Sequence, residues 1–426
     1  MPQIKSVLPD FNPWWKGPYL AEYKERAIYS RIKSFMPLRQ IIALNGLRRV
    51  GKTTLLLKAA ADAITDGLDP KDVIYFSFDE FKSIELRDVL RASEDLLDRS
   101  FSGKRVLLML DEVQKLEDWE NQAKALYDLN QHMKILISGS ESLFIKRKSR
   151  ATLAGRIFEF RIEPLSFREY LVFKGEKLIP PGLFPRELKR LFGEFLKTQG
   201  FPELVGINDK EIIQKYIKES IVDKVIYRDI PQLFRIKHIT VLEGLLGVLM
   251  DDPGQMTDLT SLGKDLNIAR QTLSLYLRYL EESYLIRKLY NFSKSRRKVE
   301  RKLKKIYPTI QSPELLFKDD DQARSKAFEC AVVNQLKAEY FWRDPYKNEV
   351  DVIRDGGSPM PIEIKSGKIE MGGVTAFLKK FKMAEGLIIS RDKAFVHEEN
   401  GRRIRVVPAH EFFASTEHEA DSEGRQ

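Results

Sequence analysis

One cysteine, Cys330, stands among 426 residues. The chain therefore forms no internal disulfide and no cysteine-based zinc site, which fits a reducing compartment. Its five histidines show no metal-ligand spacing. No run of about 18 uncharged apolar residues occurs, as a membrane-spanning helix would need. The N-terminal MPQIKSVLPDFNPWWKG lacks the apolar core of a signal peptide. These absences predict a cytoplasmic protein with no membrane partner, and they exclude a nucleotide-driven membrane transporter. With 43% apolar residues, a chain of this length is expected to fold around more than one core, in about three domains.

Positive charge is abundant but local. The net charge is +10, and between Lys294 and Lys305 eight basic residues (Lys294, Arg296, Arg297, Lys298, Arg301, Lys302, Lys304, Lys305) stand against one acid, Glu300. A local basic run is the pattern of contact with nucleic acid or another acidic partner. A solvated charged loop is the plainer alternative.

The most specific pattern is GLRRVGKT, Gly46 to Thr53, which fits G-x-x-x-x-G-K-[ST]. An apolar strand-like run, Ile41 to Leu44, precedes it and a helix-like run follows, the context a phosphate-binding loop needs. Gly46, Leu47, Arg48, Arg49, Val50, Gly51, Lys52, Thr53 and Thr54 are thus the expected ATP-binding residues. Backbone N-H groups and the helix N-terminus would face the phosphates. Lys52 would neutralise phosphate charge and Thr53 would ligate Mg²⁺. The strand Val106 to Leu110 runs into Asp111-Glu112; Asp111 is expected to hold Mg²⁺, mainly through water, and Glu112 to polarise the attacking water. A further strand, Ile135 to Ser138, is expected between these two. Its Ser138, or Ser140, would meet the γ-phosphate or the lytic water, or else simply cap a turn. Arg156 is the candidate arginine for the γ-phosphate, acting in cis or from a neighbouring subunit, with Arg48, Arg49 and Arg228 as rivals.

Strands at Ile41 to Leu44, Val73 to Phe78, Val106 to Leu110, Ile135 to Ser138 and Ile157 to Ile162, with helices between them, predict a doubly wound α/β domain over 1–163. A helical section, 164–237, reads as a lid on it. Residues 238–318 suggest a winged helix-turn-helix: Leu259, Leu262 and Leu266 on one helix, a turn at Asn267, and a second helix over 271–280. Strands at 285–292 and 303–307 would form the wing, with the basic run at its tip. There Lys294, Arg296, Arg297, Lys298, Arg301 and Lys302 would contact DNA phosphates, largely independently of sequence. Helix, strand, turn and strand return over 319–414, and the polar, acidic 415–426 is expected to be disordered.

Within 319–414, Asn348 to Ile353 and Pro361 to Gly367 read as a hairpin. Alternation buries Val350 and Val352 and puts Glu363 and Lys365 on one face, with Asp351 converging on them. Two carboxylates and a lysine suit Mg²⁺-dependent phosphodiester cleavage, with Asp351 and Glu363 as metal ligands and Lys365 positioning water. A helix over Ala327 to Tyr340 offers Glu329 as a further ligand. An ordinary solvated sheet face is the alternative.

The segments GLRRVGKTT, LLMLDE, ISGS, LAGR, PLSFREYL and GFPELV, in that order, resemble a family of archaeal and bacterial ATPases of the AAA+ superfamily. The resemblance runs from about Ala27 to Phe413. It implies an α/β AAA+ P-loop parallel sheet with helical lid, a winged helix-turn-helix and a C-terminal restriction-endonuclease-like α/β domain. The Asp351, Glu363, Lys365 set is similar to the D…(D/E)-x-K motif of that fold, Holliday-junction resolvases included, with Val350 where a proline is usual. An ATP-dependent DNA-processing protein is the leading expectation, and a nucleotide-controlled regulatory switch with a non-catalytic C-terminal platform is the rival. A homo-oligomer is left open, since AAA+ relatives often take the arginine from a neighbour.

Overall fold

The computed structural model describes residues 2–81, 84–139, 152–178, 180–234, 236, 238–256, 258–295, 299, 304–315, 320–356 and 358–415. Arg296, Arg297, Lys298, Arg301, Lys302, Ser140 and the tail from 416 lie outside these residues. The chain divides into two compact units, Met1–Pro164 and Leu165–Gln426.

The first unit is built on a five-stranded parallel sheet. Its strands are β1 (Ile41–Asn45), β2 (Val73–Ser77), β3 (Val106–Asp111), β4 (Met133–Gly139) and β5 (Ile157–Arg161), in the order β2-β3-β4-β1-β5. Strands β1 and β3 are buried along their whole length, as their unbroken apolar runs require. Strand β4 lies between β1 and β3, as expected. Helices α1 (Pro2–Phe11), α2 (Ala27–Phe35), α3 (Lys52–Thr65), α4 (Leu86–Leu97) and α5 (Trp119–Leu129) belong to the same unit. One core joins Ile4 and Leu8 of α1 to Val89 of α4, Ala123 of α5, and Phe76, Leu108 and Ile135 of the sheet.

The N-terminal segment also closes the sheet's outer strand. The Asn12 side chain donates to Tyr75 O (2.9 Å) and accepts from Tyr75 N (2.7 Å), as a neighbouring strand would. The indole N-H groups of Trp14 and Trp15 both donate to Val73 O, at 2.8 and 3.0 Å. An edge strand left open is a template for aggregation. Here β2 is covered by its own N-terminus.

The second unit holds helices α6 (Phe167–Lys174), α7 (Pro185–Thr198), α8 (Lys210–Lys215), α9 (Ile239–Asp251), α10 (Leu259–Asp265) and α11 (Arg270–Glu282). The hairpin strands β6 (Ile286–Asn291) and β7 (Lys305–Pro308) come next. After them are α12 (Asp321–Gln335), β8 (Tyr340–Arg343), β9 (Glu349–Arg354), β10 (Met360–Lys365), α13 (Gly372–Phe381), β11 (Glu385–Ser390), β12 (Phe395–Glu399), β13 (Arg402–Pro408) and α14 (Ala409–Ala414). Asn267, at φ 53°, makes the turn between α10 and α11. Helix α12 ends at Gln335 rather than Tyr340, because Lys337 takes a left-handed φ of 51° and breaks it.

Within the segment read as a lid, α6 and α7 pack on the C-terminal sheet: Phe167, Tyr170, Leu188, Leu191, Phe192 and Phe195 share one core with Leu289, Tyr307, Ile364, Ile389 and Phe413. The β6–β7 hairpin joins the C-terminal strands, because β6 pairs in parallel with β8. The result is one eight-stranded sheet, β12-β13-β11-β10-β9-β8-β6-β7.

Candidate functional site: a phosphate-binding loop and a carboxylate cluster

Parallel register brings the C-terminal ends of β1, β3 and β4 together: Leu44 lies beside Ser138, Asn45 beside Gly139, and Ser77 beside Asp111. Gly46 leaves β1 at φ +149°, where an added Cβ would strike Ile162 O, so only glycine fits. Arg49 and Gly51 take positive φ of 61° and 94°, which curls the loop before α3 begins at Lys52. Leu47, Val50 and Lys52 are buried, Arg48 is half-buried, and Arg49, Thr53 and Thr54 are exposed. Lys52 Nζ folds back onto its own loop, donating to Gly46 O (3.1 Å) and Leu47 O (2.7 Å).

Asp111, 4% exposed, is the hub of the site. Its Oδ2 accepts from Thr53 Oγ1 (2.6 Å) and Tyr75 OH (2.9 Å). Its Oδ1 accepts from Ser138 Oγ and from Glu112 N (3.1 Å). Burial first, then the Asp111 carboxylate, pushes the Tyr75 phenol well above its ordinary pKa, so it stays a donor. Glu112 takes a left-handed φ of 56° and accepts from Gln114 Nε2 at 2.5 Å. A non-glycine residue held in that region at a site is a strained, over-determined position. Two residues outside the sequence reading complete the constellation. Tyr75 is one; the other is Arg26, whose guanidinium donates to Val50 O (2.9 Å) and Glu163 O (2.9 Å) and so props the loop from outside. Neither carries a motif.

Residues 38–171 match the family model described as an AAA domain. The N-terminal unit is AAA+ ATPase-like. Residues 189–309 match a second family model, a domain of unknown function (DUF8612). An uncharacterized protein of Methanocaldococcus jannaschii, MJ1544, is 31% identical over 63% of this chain, which spans 61% of that protein's length. A second from the same organism, MJ1637, is 27% identical over 82% of this chain and 80% of its own. AMPPCP-bound DnaA from Aquifex aeolicus is 17% identical over 65% of this chain and 92% of that chain, with a TM-score of 0.29, too slight a likeness to argue from.

In this AAA+-like unit one expectation fails. Arg156 stands just before β5, and β5 runs parallel to β1 with Ile157 beside Ile41. It is therefore at the opposite end of the sheet from the loop, where its Nε donates to Asp128 Oδ1 at 3.0 Å. Acting on the nucleotide of its own chain is ruled out by that position. Arg228 belongs to the second unit.

The C-terminal constellation is assembled by β7, β9, β10 and α12. Asp351 and Glu363 are each 8% exposed, so the set is a buried cluster and not the solvated sheet face that was the alternative. Asp351 Oδ2 accepts from Ile364 N at 3.0 Å, and Glu363 Oε1 pairs with Lys365 Nζ at 2.7 Å. Glu329 Oε1 accepts from Tyr307 OH at 2.7 Å. Burial, then the Asp351 charge, raises both Glu329 and Glu363 above the ordinary carboxyl range. Among the described residues, Glu363 Oε2 is buried with no hydrogen-bond partner.

The lysine expected in the basic run, Lys305, is inside this cluster, 2.5 Å from Glu349 Oε1 and 3.4 Å from Asp351 Oδ1. Lys294 is exposed, and Lys304 is half-buried with Nζ 5.1 Å from the Tyr290 ring centroid. Among the described residues no three His, Cys, Asp or Glu side chains group to hold a metal ion. With two ammonium groups already on its carboxylates, the cluster does not fit the expected Mg²⁺ site of Asp351, Glu363 and Glu329. Among the described residues no helix is long and apolar enough to cross a membrane.

Proposed function

We propose that the chain is an ATP-hydrolysing, DNA-binding protein in which nucleotide turnover governs how the second unit holds DNA. The observation that carries the hydrolysis is the convergence of Thr53, the Glu112 amide and Ser138 on Asp111, at the C-terminal strand ends beside the loop that holds Lys52. Thr53 and Asp111, hard oxygen donors already in contact, fit Mg²⁺ and would hold it; bound, the ion offsets the charge that develops on the phosphates. Lys52 exchanges two loop carbonyls for phosphate oxygens. Glu112 orients the attacking water and takes its proton, and Ser138 keeps Asp111 aimed.

DNA binding rests on α9 to α11 and the β6–β7 hairpin, read as a winged helix, together with the basic run between its strands. Contacts of that kind bind phosphates with little sequence preference and weaken steeply with salt. We derive no cleavage step, because the carboxylate cluster is paired with lysines. That pairing also favours the second reading, a regulatory switch whose C-terminal unit is a non-catalytic platform. ATP turnover measured with and without single-stranded, duplex and four-way DNA separates the two. Stimulation by DNA is the expected result; turnover indifferent to every DNA leaves the switch.

A further inference from the structure

We infer that Lys305 is the resident cation of the carboxylate cluster, and that Asp351 offers a divalent ion a place only when that ammonium is removed. Lys305 is 6% exposed, and its Nζ reaches Glu349 and Asp351 on β9 while lying 5.6 Å from the Phe341 ring centroid. Its ammonium stands within ion-pair distance of two carboxylates at once, and that geometry makes it the cation of the cluster.

Strand β7 supplies two polar heads on one face, since residues i and i+2 of a strand point the same way. Lys305 neutralises Asp351, and Tyr307 donates to Glu329. Lys365 Nζ, from β10, lies 2.7 Å from Glu363 Oε1. A Mg²⁺ or Mn²⁺ ion needs several oxygen ligands close around it, at about 2.0–2.1 Å for Mg²⁺. An ammonium group on Asp351 and Glu349 takes those lone pairs and repels the incoming ion. The strand that continues the basic run is thus also the lock on the cluster, a role independent of nucleotide hydrolysis.

The test is Mn²⁺ binding to the full chain, read by electron paramagnetic resonance of the free ion in an Asp111→Asn background that silences the first unit. The parent should show no Mn²⁺ site sensitive to Asp351→Asn. Lys305→Met and Lys305→Gln should bind Mn²⁺ at least about tenfold more tightly than the parent, and Asp351→Asn should abolish the gain. A parent site that Asp351→Asn removes overturns the inference, whatever the lysine variants do. Folded lysine variants, checked by circular dichroism, that bind no more Mn²⁺ than the parent overturn it equally. Lys305→Gln keeps the length and polarity of much of the side chain, so it serves where Lys305→Met does not fold.

Discussion

Four donors converge on the Asp111 carboxylate: Thr53, Tyr75, Ser138 and the Glu112 amide. Tyr75 reaches Asp111 from β2, outside both the loop and the strand that carries Asp111. A hydrogen bond to a charged group contributes about 1.5–3 kcal/mol, so Tyr75→Phe should lower kcat for ATP roughly tenfold or more. Nucleotide Kd should hardly move, because Tyr75 lies behind Asp111; equal loss of affinity would show that it touches the nucleotide instead. Lys52→Ala removes the charge aimed at the phosphates, and a lost transition-state donor costs on the order of 10²–10³ in rate. Turnover retained in that variant would refute the site. The second unit titrates at this scale. Glu363, raised by burial and Asp351, keeps its proton in the folded state at pH values where the unfolded chain has released it. Its contribution is full below the unfolded value near 4.5 and is lost as pH rises through the folded one. The melting temperature of the wild type should therefore fall with rising pH relative to Glu363→Gln, and parallel curves would contradict the raised value.

At the scale of elements, Asn12, Trp14 and Trp15 cover an edge strand. Asn12 satisfies both backbone groups of Tyr75, and the same residue's phenol meets Asp111. Asn12→Ala leaves these groups buried without partners, at a cost of about 1–3 kcal/mol for each unmet group. It should melt several degrees lower in calorimetry and aggregate on heating; an unchanged melting temperature would mean that the edge needs no cover. Nothing in FNPWW announces this, since the contact spans 63 residues and follows no period. The strands of the first sheet are legible because each is a buried apolar run punctuated by turns, and the P-loop because its glycines and lysine are required by backbone shape and phosphate charge. The ends agree within two residues. The place of Arg156 follows once its strand is taken as parallel to β1: it precedes Ile157, at the end opposite the loop, which the LAGR pattern by itself does not reveal. The join of β6 to β8 is likewise invisible: parallel pairing between strands some fifty residues apart leaves no local trace. The same holds for Lys305, which in sequence is one more member of a charged run.

For the whole molecule, the division at Pro164 and Leu165 separates the nucleotide chemistry from everything that suggests DNA. The first unit closes its own core, from Ile4 through Leu153. Helices α6 and α7, in the segment expected as its lid, spend their apolar faces on the second unit's core. A fragment of residues 1–164 should therefore fold and keep basal ATP turnover, while stimulation by DNA requires the full chain. Turnover by the fragment at the basal rate of the intact chain, with no response to DNA, would place the coupling in residues 165–426. A fragment still stimulated by DNA would put the DNA contact in the first unit and remove the basic hairpin from the function. A folded fragment with no turnover would mean that the second unit, or another copy of the chain, completes the catalytic site, the outcome expected if the arginine that meets the γ-phosphate comes from outside the first unit rather than from Arg48 or Arg49.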